Sequence, residues 1–134
     1  MNAITEFLYP APAPRKLGGI IRWWESRRVQ YNAMVGVSGL VSLGAFRLLT
    51  GLPPDPHSIP LFWAPVLAFG LWANACYLLG PAVELTVEKL SGGKILPTGP
   101  VLYRMGLTFS VGLTLLPTLM AGADWAFRIF RWLF

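Results

Sequence analysis

Charge is the scarcest commodity in this chain: only 13% of its 134 residues are Asp, Glu, Lys or Arg, and none occurs between Ser58 and Val83 or between Met105 and Ala123. A water-soluble domain of this size carries about twice that share. One cysteine and one histidine are present, which excludes an internal disulfide and any CxxC metal or redox pair. Cys76 lies in an apolar run and reads as a small packing residue. His57 sits in a proline-rich loop, away from the mid-span depth at which a histidine would ligate haem. No HExxH, GxSxG, Walker or GxGxxG pattern occurs, so the chain carries no catalytic constellation and the expectation is a non-enzyme. The first residues hold Glu6 and a Pro-Ala-Pro-Ala-Pro run instead of a basic start and an apolar core, so no cleavable signal peptide is expected.

What is there is apolar surface: 54% hydrophobic residues and a mean hydropathy of +0.55 point to an all-α integral membrane protein, one membrane domain spanning 1–134. Three spanning segments are expected, at about 31–49, 60–79 and 101–121, each near the ~20 residues that cross a ~30 Å hydrocarbon core. Residues 1–16 read as an extended Pro/Ala-rich tail. Residues 17–30 read as an interfacial helix, with Trp23 and Trp24 as headgroup-level anchors. The segment 50–59, with Pro53, Pro54, Asp55 and Pro56, is a stiff turn. The second span is expected to run on past Pro81 to Leu90, where Ser91, Gly92 and Gly93 stop it. Asp124, Arg128 and Arg131 fall four and three apart, so 124–134 reads as an amphipathic surface helix with Trp125, Phe130 and Trp132 as further anchors.

The pI near 9.9 raises nucleic acid as a partner, but the basic residues crowd beside spans instead of covering a soluble face, so none is expected. Arg15, Lys16, Arg22, Arg27, Arg28, Lys89, Lys94 and Arg104 fall on one side of the predicted membrane and Arg47, Arg128 and Arg131 on the other. That bias predicts a cytoplasmic N-terminus, a periplasmic C-terminus and a place in the bacterial inner membrane.

Polar side chains inside spans need partners from neighbouring helices. Gly106, Ser110, Thr114 and Thr118 recur at four-residue intervals in span three, and Gly36, Ser38, Gly39 and Ser42 offer a small-residue face on span one, so these two spans are expected to pack closely. The same hydroxyls could instead line a pore. Asn74, mid-way along span two, is expected to bond a neighbouring helix. Glu84 and Glu88, on the extension of span two, are expected to meet Arg27, Arg28 or Arg104.

Two stretches, Arg22-Trp-Trp-Glu-Ser-Arg-Arg-Val-Gln-Tyr-Asn32 and Ala73-Asn-Ala-Cys-Tyr-Leu-Leu-Gly-Pro-Ala-Val-Glu84, resemble a loose group of small uncharacterised bacterial membrane proteins with a Trp-Glu-x-Arg-Arg-x-x-Tyr-Asn element and an Asn-x-Cys-Tyr element followed by Glu. The resemblance covers about a quarter of the chain and carries no activity. It implies only that Glu25, Arg28, Tyr31, Asn32, Asn74, Tyr77 and Glu84 act as a set; because Tyr31 and Asn32 start span one at the level where Glu84 leaves span two, Arg27 or Arg28 is expected to bridge them as a clasp.

Two functional expectations follow. The first is an accessory subunit of a larger membrane assembly, of the bioenergetic or photosynthetic kind, that ligates no cofactor of its own and touches lipid, pigment tails and neighbouring subunits. The second is a small homo-oligomeric transporter or channel built on the span-three stripe.

Overall fold

A run of 35 residues without proline, from Leu17 to Gly51, forms one uninterrupted helix, α1, in the computed structural model. The structure describes residues 16–57, 60, 63–92 and 98–134; apart from Lys16, the predicted tail lies outside them. α2 spans Trp63–Ser91 and continues through Pro81. α3 spans Gly99–Leu133, with Pro100 in its first turn, where a missing N–H is harmless. The described residues contain these three helices and no strand, and all three are long and apolar enough to cross a membrane. Gly92 takes φ +58 just beyond the last residue of α2, the left-handed geometry that ends a helix without steric cost.

The two short interfacial helices expected at 17–30 and 124–134 do not exist as separate elements. No helix breaker separates Gln30 from Tyr31, so the first is simply the start of α1. At the other junction a single glycine, Gly122, stands among good helix formers, a penalty of about 1 kcal/mol that α3 absorbs. The faces also point elsewhere. Ile20, Trp23 and Trp24, spaced to share one side of α1, are buried against Tyr77 and Tyr103 and are therefore core residues, not headgroup anchors.

α1 and α3 run parallel. Tyr31 bonds Ser110, Ser42 bonds Thr118 and Arg128 bonds Leu49, at sequence separations of 79, 76 and 79. The buried positions fall at steps of seven, four and seven on both helices: Trp24, Tyr31, Val35 and Ser42 on α1, and Tyr103, Ser110, Thr114 and Ala121 on α3. Seven, four and seven residues make five turns of about 3.6 residues each, the pitch of a straight α-helix, so the seam stays on one face of each helix without supercoiling. α2 is antiparallel to both and buries Ala73, Tyr77 and Glu84 against them.

This register also sets the charges in two tiers. Arg28 on α1 stands level with Arg104 on α3, and Arg47 with Asp124. Between the tiers α1 carries 18 uncharged residues and α3 carries 19, or about 27 and 28 Å of helix, close to a ~30 Å hydrocarbon layer. The ends of all three helices beyond Arg28, Glu84 and Arg104 lie past this uncharged stretch and pack against one another.

Candidate functional site

The three helices are joined at one end around Trp24. Its indole Nε1 donates to Glu84 Oε2 across 2.6 Å, and its carbonyl accepts the Tyr77 hydroxyl at 2.5 Å. Trp24 is 2% exposed and Glu84 5%. Two glycines make room for this pair. At Gly80 an added Cβ would collide with the Trp24 ring, and at Gly99 it would lie 2.5 Å from Glu84 Oε2. Gly99 opens α3, so the carboxylate sits at the positive end of the α3 dipole, a favourable placement for negative charge. Tyr103 closes the far side of the cluster, its ring edge-on to Trp23 and Trp24, with its hydroxyl buried and without a hydrogen-bond partner.

Two turns further along α1, the Tyr31 hydroxyl lies 2.7 Å from Ser110 Oγ and donates to the Ala73 carbonyl at 3.1 Å, so one side chain ties α1 to both neighbours. Further along, Ser42 Oγ and Thr118 Oγ1 meet at 2.8 Å, and Thr118 also donates to the Ser42 carbonyl.

The opposite end is closed by Arg128, 8% exposed. Its Nη1 donates to the carbonyls of Leu52, Pro54 and Asp55, its Nη2 to that of Leu49, and its Nε pairs with Asp124 at 3.1 Å. The last carbonyls of a helix have no intrahelical donor; one guanidinium from α3 supplies what the end of α1 lacks and holds the turn beyond it. Trp125 adds a bond from Nε1 to the Pro53 carbonyl, and His57 Nε2 stands 4.0 Å from Asp124.

The predicted site residues are distributed unevenly over this frame. Tyr31, Ser42, Ser110, Thr114 and Thr118 lie in or beside the α1·α3 seam, though Thr114 bonds the Val111 carbonyl of its own helix. Gly36, Gly39 and Gly106 are not in close approach: a Cβ added at any of them meets open space. Ser38 bonds its own helix at Met34, and Asn74 does the same at Gly70, so neither joins helices. The reason is periodic. A four-residue step turns about 40° past a full revolution, so a stripe at that spacing walks off the contact face, whereas the alternation of seven and four stays on it.

The arginine clasp on Glu84 is likewise replaced. Arg28 pairs with Glu25 at 2.9 Å and lies over the Tyr77 ring, and Arg27 stacks on Trp23 at 4.0 Å. Among the described residues Glu84 forms no ion pair; its donor is Trp24. Asn32 is exposed and Glu88 half-buried. Trp125 turns inward to the turn, while Phe130 and Trp132 stay on the surface. Compared with known proteins, the chain matches no family model, no curated protein and no solved structure. Among the described residues no three of His, Cys, Asp and Glu gather closely enough to hold a metal ion.

Gly80, Gly99, Tyr103 and Arg128 are the site residues that sequence reasoning passed over. Arg128 left a signal: a charge four residues after Asp124 inside a run of aromatics. The two glycines left none, because what makes them necessary is a side chain far away in sequence.

Proposed function

We propose that the chain is a non-catalytic packing subunit of a larger membrane assembly in a bacterial inner membrane, with its N-terminus in the cytoplasm, and that it works through its outer surface. The observation that carries this reading is the contrast between inside and outside. The interhelical hydroxyls are engaged with one another: Tyr31 with Ser110, and Ser42 with Thr118. Outside, large apolar side chains stand free, including Leu67, Leu71 and Trp72 on α2, Phe127, Phe130 and Trp132 on α3, and Phe134 just beyond its end. Lipid covers such side chains between the two charge tiers. The end of α3 extends past the Asp124 tier, and there Trp132 and Phe134 are 72% and 92% exposed, an apolar surface of the kind a partner subunit covers.

A transport path along Ser110, Thr114 and Thr118 is less well supported, because those hydroxyls already have partners in the seam or in their own helix. A bioenergetic or photosynthetic host is the assembly class we favour, on the aromatic surface alone. The test is gentle extraction from the native membrane followed by size separation and mass spectrometry, with an absorption spectrum of the same fraction. Co-migration with other polypeptides is expected. A lone monomer or a homo-oligomer that conducts solute in liposomes would overturn the reading.

A further inference from the structure

Trp24 differs from the tyrosines around it in what its polar atom faces. Tyr77 donates to a peptide carbonyl, Tyr31 is shared between a carbonyl and a serine hydroxyl, and the Tyr103 hydroxyl has no partner. None of those is a base. Trp24 alone among these four donates to a carboxylate, at 2.6 Å. That carboxylate is buried and, among the described residues, forms no ion pair. The rings also form an unbroken series, with centroids 4.6 Å apart for Tyr31 and Tyr77, 5.4 Å for Tyr77 and Trp24, and 5.3 Å for Trp24 and Trp23.

We propose that Trp24 and Glu84 form a proton-coupled electron-donor site whose substrate class is an outer-sphere one-electron oxidant. The indole gives one electron to the oxidant. Its Nε1–H bond breaks, the proton passes along the existing hydrogen bond, and an O–H bond forms on Glu84 Oε2. The products are a neutral indolyl radical, a neutral carboxyl group and the singly reduced acceptor; re-reduction returns the proton to Nε1.

Two features of the site favour this step. Loss of an electron makes an indole N–H strongly acidic, and the acceptor is already in place, so no group has to move. The carboxylate is also free of a competing cation, since among the described residues it forms no ion pair. The neighbouring tyrosines face a carbonyl, a hydroxyl or no partner, so they have no base to take a proton on oxidation and the oxidised state settles on Trp24.

The test uses the full chain in detergent micelles, with the exposed Trp63, Trp72 and Trp132 changed to Phe and photogenerated tris(bipyridine)ruthenium(III) as oxidant. Transient absorption and electron paramagnetic resonance separate the neutral indolyl radical from its protonated form. The expected result is a neutral radical formed with a solvent deuterium isotope effect. It is lost in Trp24→Phe, replaced by the protonated radical in Glu84→Gln, and retained in Tyr77→Phe. An unchanged neutral radical in Glu84→Gln or Trp24→Phe, or its loss in Tyr77→Phe, overturns the assignment. So does the absence of a neutral radical or of the isotope effect in the background protein, a readout that does not depend on whether the Glu84 variant folds.

Discussion

The two ends of the α1·α3 pair are both closed by a buried ionisable side chain, and they solve opposite problems. At the Trp24 end a carboxylate needs donors, and it has one indole and the dipole of a helix start. At the turn end a run of carbonyls needs donors, and a single guanidinium bonds four of them while pairing with Asp124. The first end is built from three helices and two glycine-sized gaps, so it depends on fit. The second is built from two helices and a turn, so it depends on hydrogen bonding. A planar, permanently charged fork with five donors suits the second task and has no counterpart among shorter side chains. Fit and bonding fail differently, and substitutions separate them.

The largest effect is expected at the arginine. Arg128→Met leaves four carbonyls without their donor and Asp124 without its partner, and unfolding followed by denaturant titration in detergent is expected to show a loss of about 3 to 5 kcal/mol. Arg128→Lys, with a single point charge, recovers only part. If both variants unfold like the parent, the turn end is held by something else. Next in size is the fit at the opposite end. Gly80→Leu or Gly99→Val forces the Trp24 ring or the Glu84 carboxylate out of place, at about 1 to 3 kcal/mol each in the same titration. Quenching of Trp24 fluorescence by a soluble quencher should rise in step, and equal accessibility in parent and variant would contradict the packing described.

Smaller effects are expected along the seam between the ends. Tyr31→Phe removes bonds to two helices and is expected to lower stability by about 1 kcal/mol, and Ser42→Ala by about 0.6 kcal/mol, near the mean for interhelical bonds in membranes. Smallest of all are Gly36→Ala and Gly106→Ala, each expected within about 0.5 kcal/mol of the parent, since a methyl group there meets open space. A large loss at either glycine would restore the small-residue stripe as the packing face.

The same contrast governs how much of the molecule can be read from sequence. Three long apolar helices, the stiff turn and the stop at Gly92 follow from local chemistry: runs without charge, clustered prolines, a glycine at positive φ. Where the helices end is harder, because continuity is decided by the absence of a breaker, and Gln30 and Gly122 look like boundaries only to a reader searching for amphipathic segments. Trp23 and Trp24 look like membrane anchors for the same reason. Their burial depends on Tyr77, Glu84 and Tyr103 arriving from elsewhere, which one segment cannot announce. Glu84 was visible as an outlying carboxylate, but its donor was not, since arginine is the obvious partner for a carboxylate and an indole is not. The seam was half visible: Ser110, Thr114 and Ser42 are in it, while the glycines that completed the four-residue pattern are not.

If the interior is closed and the outside is where the chain acts, then exposed positions should touch another protein and seam positions should not. A photoactivatable cross-linking residue placed in turn at Leu67, Leu71, Phe130 and Trp132, and at Thr114 as the buried control, tests this in the native membrane. The account predicts a protein adduct of constant mass at one or more of the exposed positions and none at Thr114. Lipid adducts alone at every exposed position would contradict it.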